Sequence, residues 1–286
     1  MLTTRGGAFL VVVYHCGGKV EMTAIEHLAR ALRLDGDSAI ATFTAYFDAS
    51  GTAQTRVITM AGFVSRVQKW ERFEREWPKL LPGAVKFFHM TDFVSSQRGW
   101  ESWKEGHSEK RANLVDNLVA CIKRNTNKGF GVSLRLSDYV SFNTEYQLVE
   151  AVGGPYPTVG LACLGELRKW ATRHRINHTK ILCIFEDGDA DQGALISRAR
   201  LDGFNAIPQS KAEIRAFDSC DFAAWKTRAV VDDSLVKELH LKDPTSADRI
   251  KKSLDQLDPI LQLNAAVDAK VLQDLCNLVG IPKREP

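Results

Sequence analysis

With 286 residues, the chain can bury a sizeable core, either as one large domain or as a domain with an appendage. At 44% hydrophobic and 26% charged residues it has an ordinary globular composition, which excludes disorder as its default state. A formal net charge of +3 neither demands nor excludes a nucleic-acid partner, because acid elsewhere can dilute a local basic groove.

No apolar run approaches the length of a membrane span. The nearest, residues 8–14, lacks a small-x-small cleavage pattern. It reads as an added strand or upstream extension ahead of the helical segment that begins near Met22, and a cytoplasmic protein is expected. The six cysteines form no C-x-x-C pair and mostly fall inside apolar periodic segments. They read as buried, reduced small hydrophobes rather than zinc ligands or a disulfide frame.

In chain order, Ile25, Leu28, Ala29 and Leu32 recur at helical spacing over residues 23–34, and Asp35-Gly36-Asp37 ends that helix. An apolar strand then runs from Ile40 to Asp48. The Ser50-Gly51 turn and a second strand over 55–64 make a hairpin. Residues 68–81 form an amphipathic helix with Trp70, Phe73 and Trp77 inward, broken by Pro82-Gly83. A short strand is expected over 84–88, running into His89-Met90-Thr91-Asp92, and a polar loop with Trp100 and Trp103 over 95–106.

A helix follows over 107–124, a strand over 129–136, a loop around 153–157 and a helix over 159–174. Residues 180–185, Lys-Ile-Leu-Cys-Ile-Phe, are a continuous apolar run bounded by acid, the mark of a strand buried on both faces. The acidic stretch Glu186 to Asp191, a helix to Leu201, a short strand over 204–207 and a helix over about 219–231 come next. The tail from Ser234 is charged and helical, broken by Pro244 and Pro259. Hairpins first and alternating strands and helices later imply an α/β layer structure with a mixed sheet. The expected division is an N-terminal extension and helix (1–38), an α/β domain (39–232) and a helical C-terminal extension (233–286).

Three acidic positions share a setting. Asp48 ends the first strand, Glu186-Asp187 end the buried strand, and Asp221 lies on an otherwise apolar helix that must pack on the sheet. Carboxylates so placed can converge, and oxygen-only clusters suit Mg²⁺ or Mn²⁺, which hold phosphate oxygens and activate water. Each also has a plainer explanation: Asp48 as a turn acid, Glu186 to Asp191 as a helix-capping loop, Asp221 as an acid of its helix's first turn. His89 is a candidate phosphate contact or proton shuttle, or else a cap of the next segment.

Tyr46-Phe47-Asp48-Ala49-Ser50-Gly51 resembles the Tyr-x-Asp-Glu-Ser-Gly opening of domain-of-unknown-function family 3800. Phe88-His89-Met90-Thr91-Asp92-Phe93 is similar to that family's His-x-Thr-Asp-like segment, and Phe185-Glu186-Asp187 falls at its acids after a central strand. Ser219-Cys220-Asp221-Phe222-Ala223-Ala224-Trp225 resembles its late Ala-Asp-Leu-Leu-Ala helix. The resemblance spans about residues 42–229 and implies a ribonuclease H-like fold, with Asp48, Glu186 or Asp187, and Asp221 as metal ligands. The family's usual Glu after the first Asp is Ala49 here, so any role of that Glu is lost or moved.

The expectation is a divalent-metal-dependent nuclease acting on a nucleic-acid phosphodiester. Asp48, Glu186 and Asp221 would hold Mg²⁺ or Mn²⁺, and Asp187, Asp189 or His89 would assist. The alternative is a catalytically weakened nucleic-acid- or protein-binding module on the same fold, which Ala49 and the modest charge favour. His174 and His178 lack the Glu of H-E-x-x-H and read as a solvated basic end. Arg168, Lys169, Arg173, Arg175 and Lys180 are either the wet face of a helix or a phosphate-binding surface. Trp100 and Trp103 are candidates for stacking on a base.

Overall fold

Strands buried on both faces build the centre of the molecule. In the computed structural model, which describes residues 43–51, 55–103, 108–232, 244–267, 272–273, 276 and 281–283, the strands β1 (Phe43–Ser50) and β2 (Val57–Arg66) pair antiparallel. The helix expected over 23–34, the apolar run 8–14, Cys16 and the first residues of the opening strand lie outside the described residues. Gly51, with φ +96, leaves β1 in a conformation that favours glycine.

The chain continues through α1 (Val67–Glu76), a 3₁₀ turn (Trp77–Lys79), α2 (Met90–Ser95), α3 (Ser108–Asn125), β3 (Lys128–Arg135), α4 (Leu136–Glu145) and α5 (Leu148–Val152). It then forms α6 (Pro155–Arg173), β4 (Ile181–Glu186), α7 (Gln192–Leu201), β5 (Asn205–Gln209), α8 (Ala216–Val231), α9 (Pro244–Asp255) and β6 (Leu261–Val267). The strands make one mixed sheet in the order β5-β4-β1-β2-β3-β6, with β2 antiparallel to its neighbours and the remaining pairs parallel. The α/β layer expectation therefore holds, with helices on both faces.

Alternation sorts β1 and β4 between two cores. Tyr46, Leu182 and Ile184 point to the face covered by α8 and α1, together with Trp70, Trp77 and Phe217. Ala45, Phe47, Cys183 and Phe185 point to the face covered by α6, with Leu164 and Leu167. The described cysteines, Cys121, Cys163, Cys183, Cys220 and Cys276, are all buried, as small hydrophobes should be. On β3, Gly131 lets α8 approach closely: a Cβ there would fall 2.3 Å from the Thr227 hydroxyl oxygen.

Several expectations need correction. Residues 84–88 form no strand: Val85 N–H closes a turn on the Pro82 carbonyl, Phe88 N–H donates to Asp218 Oδ2 (3.0 Å), and just beyond the segment Met90 N–H donates to Asp221 Oδ2 (2.6 Å). Carboxylates do there what a neighbouring strand would have done. Trp100 is fully buried, packed edge-on against Phe93 and Trp103, so it presents no ring to a base. Trp103 is buried too.

The helix expected from 159 starts at Pro155, where a missing N–H costs nothing. The C-terminal segment is not purely helical. α9 packs on α3, and β6 adds to the edge of the sheet beside β3, where Leu261 and Val267 are buried. An apolar alternating segment next to an open edge satisfies that edge's backbone groups.

Candidate functional site

The site forms where β1 and β4 end side by side. Phe47 pairs with Phe185, so Asp48, one step on, stands beside Glu186, and alternation turns both side chains to the α8 face. Asp221 comes down from the second turn of α8 onto the same spot. Lys211, in the 3₁₀ turn (Lys211–Glu213) after β5, completes the group. Its Nζ lies 3.3 Å from Asp48 Oδ2, 3.5 Å from Glu186 Oε2 and 3.8 Å from Asp221 Oδ1. Three carboxylates distant in sequence thus share one ammonium.

Several backbone and side-chain bonds hold this arrangement. Asp221 Oδ2 is oriented by Met90 N–H, while its Oδ1 is 3.3 Å from His89 Nε2. His89 is 42% exposed at its side chain and makes no capping bond to α2 from its ring, so the capping explanation falls; the imidazole lies between Asp221 and Asp92, its buried Nδ1 3.8 Å from Asp92 Oδ2. Gln192 Nε2 donates to the Glu186 carbonyl, fixing the end of β4 against α7. Tyr156, at the start of α6, hydrogen-bonds Asp189 at the rim.

Electrostatics follow from burial. Asp48 is 6% exposed, and its carboxyl is held well above the usual range: desolvation raises it most, Lys211 opposes this, and the hydrogen-bonded Glu186 and nearby Asp221 raise it further. For Lys211, burial disfavours the charge, yet Asp48, Asp221 and Glu186 together outweigh it and the ammonium is raised above its ordinary value. Asp189 is raised by burial and then by Glu186.

Of the sequence candidates, Asp48, Glu186, Asp221 and His89 come together. Asp187 does not join them: it is exposed, and its backbone N–H ties β4 to the Gln209 carbonyl of β5. The next residue along a strand faces the other way, which is why Glu186 and not Asp187 meets Asp48. Ala49 likewise packs partly on the α6 side, so position 49 does not point at Lys211. Lys211, Tyr156 and Gln192 were not foreseen. Lys211 follows a short strand that runs beside β4 and ends level with it, a placement that only the sheet pairing reveals.

The basic helix end is elsewhere. Trp170 packs on Phe43 at the start of β1, with Arg173 and Arg175 just beyond, roughly 16 Å of strand from Asp48. Arg168 lies over the Phe204 ring and donates to the Asp202 carbonyl.

Among the described residues, no three His, Cys, Asp or Glu side chains are gathered as a ready metal site. The donor set nonetheless fits a hard cation in kind: all its atoms are oxygens, and a monovalent cation, the Lys211 ammonium, already stands among them. Those contacts are wider than the ~2.0–2.1 Å of Mg²⁺–oxygen bonds. A bound ion would therefore require the carboxylates to close in. Among the described residues no helix is long and apolar enough to cross a membrane. No family model and no curated protein matches the chain.

Proposed function

We propose that the chain is a divalent-metal-dependent nuclease on a ribonuclease H-like fold, hydrolysing a nucleic-acid phosphodiester. The observation that carries this reading is the meeting of Asp48, Glu186 and Asp221, from β1, β4 and α8, within 3.8 Å of one atom. The run β3-β2-β1-β4-β5, an antiparallel meander extended by two parallel strands, supports the fold. So does the resemblance to domain-of-unknown-function family 3800.

Asp48, Glu186 and Asp221 would hold Mg²⁺ or Mn²⁺, whose charge when bound stabilises phosphate oxygens and activates water. His89, half in solvent and beside Asp221, is placed to pass a proton or contact a phosphate. Met90 N–H keeps Asp221 aimed into the site, and Gln192 fixes the Glu186 backbone.

A second reading, a nucleic-acid- or protein-binding module without hydrolysis, is favoured by Lys211, which already compensates part of the charge of the acids. Labelled single- and double-stranded RNA and DNA oligonucleotides, incubated with Mn²⁺ or with chelator, separate the two. Cleavage that chelator abolishes, and that Asp48→Asn lowers on the order of a hundredfold or more, is the expected result. Cleavage indifferent to both treatments would overturn the nuclease reading, and binding without cleavage would favour the second.

A further inference from the structure

Lys211 occupies the point at which the three carboxylates aim. Its Nζ–oxygen distances of 3.3, 3.5 and 3.8 Å are all longer than the ~2.7–2.9 Å of a well-made charge-assisted hydrogen bond. The ammonium is central to the set: it donates one long hydrogen bond, to Asp48, and meets Glu186 and Asp221 only as ion pairs. It stands on a flexible four-carbon stem, and its side chain keeps 17% exposure, so a way out to solvent exists. The turn beneath it is fixed: the Ser210 side chain accepts the Ala212 N–H, so movement falls to the side chain.

We propose that Lys211 is a displaceable internal cation that competes with the divalent ion for Asp48, Glu186 and Asp221. This inference rests on the metal-dependent reading above. An ammonium and a divalent cation cannot occupy one position, and like charges at such range repel strongly where water is sparse. With no ion bound, Lys211 keeps buried acids from facing one another uncompensated. With the ion bound, its ammonium is expelled towards the open side, where His89 is also exposed, and where it would meet a phosphate. The site thus exchanges a stabilising cation for a working one.

Two measurements test this. In calorimetric titration with MnCl₂, Lys211→Met, which keeps the stem and removes the charge, should bind Mn²⁺ at least tenfold more tightly than the unmodified protein. It should also gain more in melting temperature on adding Mn²⁺. Because that variant leaves three acids unneutralised and can fail to fold, lysine acetylation mapped by mass spectrometry on the unmodified protein provides the second measurement. Lys211 should be protected in chelator and become reactive in Mn²⁺, while Lys226, paired with Asp255 and Asp258 on the far part of α8, should not change. Mn²⁺ binding with unchanged Lys211 reactivity, or equal affinity in Lys211→Met, would overturn the competition alone. No Mn²⁺ binding by either protein would overturn the competition together with the metal-dependent reading.

Discussion

α8 carries two buried acids one turn apart, and they live in different surroundings. Asp221 sits at the mouth, with Lys211 and His89 within ion-pair reach and solvent beside it. Asp218 sits deeper and is fully buried. Its Oδ2 accepts from Trp77 Nε1 (2.8 Å) and Phe88 N–H, while its Oδ1 has no hydrogen-bond partner among the described residues. Burial pushes the Asp218 carboxyl up to about 7, and Glu74, which accepts the Arg215 and Ala216 N–H groups at the head of α8, is likewise raised to about 7. One helix thus carries a deep acid that anchors the core and a mouth acid that joins the site. Both acids clamp the segment 88–90, but the mouth acid alone lies within ion-pair reach of a histidine open to solvent.

The largest effect that would break this comparison is on stability. Asp218→Ala strands the Trp77 and Phe88 donors in the core and should cost about 3–5 kcal/mol in urea unfolding. A loss below about 1 kcal/mol would mean that the deep acid is not the anchor described. On the mouth side, His89→Gln should lower the proposed metal-dependent cleavage on the order of a hundredfold while leaving the unfolding midpoint in place. A matched fall in both would make His89 a structural residue.

A smaller effect lies in pH dependence. Asp218 and Glu74 hold protons in the folded state that the unfolded chain releases near pH 4, so the folded state binds more protons between about pH 4 and about 7. Their contribution to stability therefore falls as pH rises through that window. Asp218→Asn keeps an acceptor for Trp77 and Phe88 and cannot ionise, so it should flatten the decline. An unchanged slope would show that Asp218 ionises normally. Smallest of all, Arg173→Ala with Arg175→Ala, at the opposite end of the sheet, should leave oligonucleotide affinity within about twofold, as expected of charges more than a Debye length away. A larger loss would place the substrate at that end.

Much of this was legible in the chain. Ile181 to Phe185 announced a buried strand by unbroken hydrophobicity, and the polar switch at Asp48 and Glu186 marked where the pairing of β1 with β4 ends, although β1 itself runs on to Ser50 beside β2. What failed to show was pairing at a distance. Residues 84–88 look like a strand because they are mostly apolar, but local pattern cannot reveal that Asp218 on α8 would take the Phe88 N–H. Trp100 and Trp103 sit among polar residues, which concealed that the Trp100 ring folds back onto Phe93 and Phe88 and the Trp103 ring onto Trp100. Lys211 was one lysine among many until β5 was placed beside β4.

Gly131 has a consequence at a distance. Thr227 presses into the space left by its missing side chain, and Asp221 lies six residues earlier on the same rod, about 9 Å along its axis. A methyl group at position 131 would act as a wedge under one end of a lever whose other end carries a carboxylate. One of the two glycines on β3 thereby sets the height at which Asp221 hangs over the strand tips.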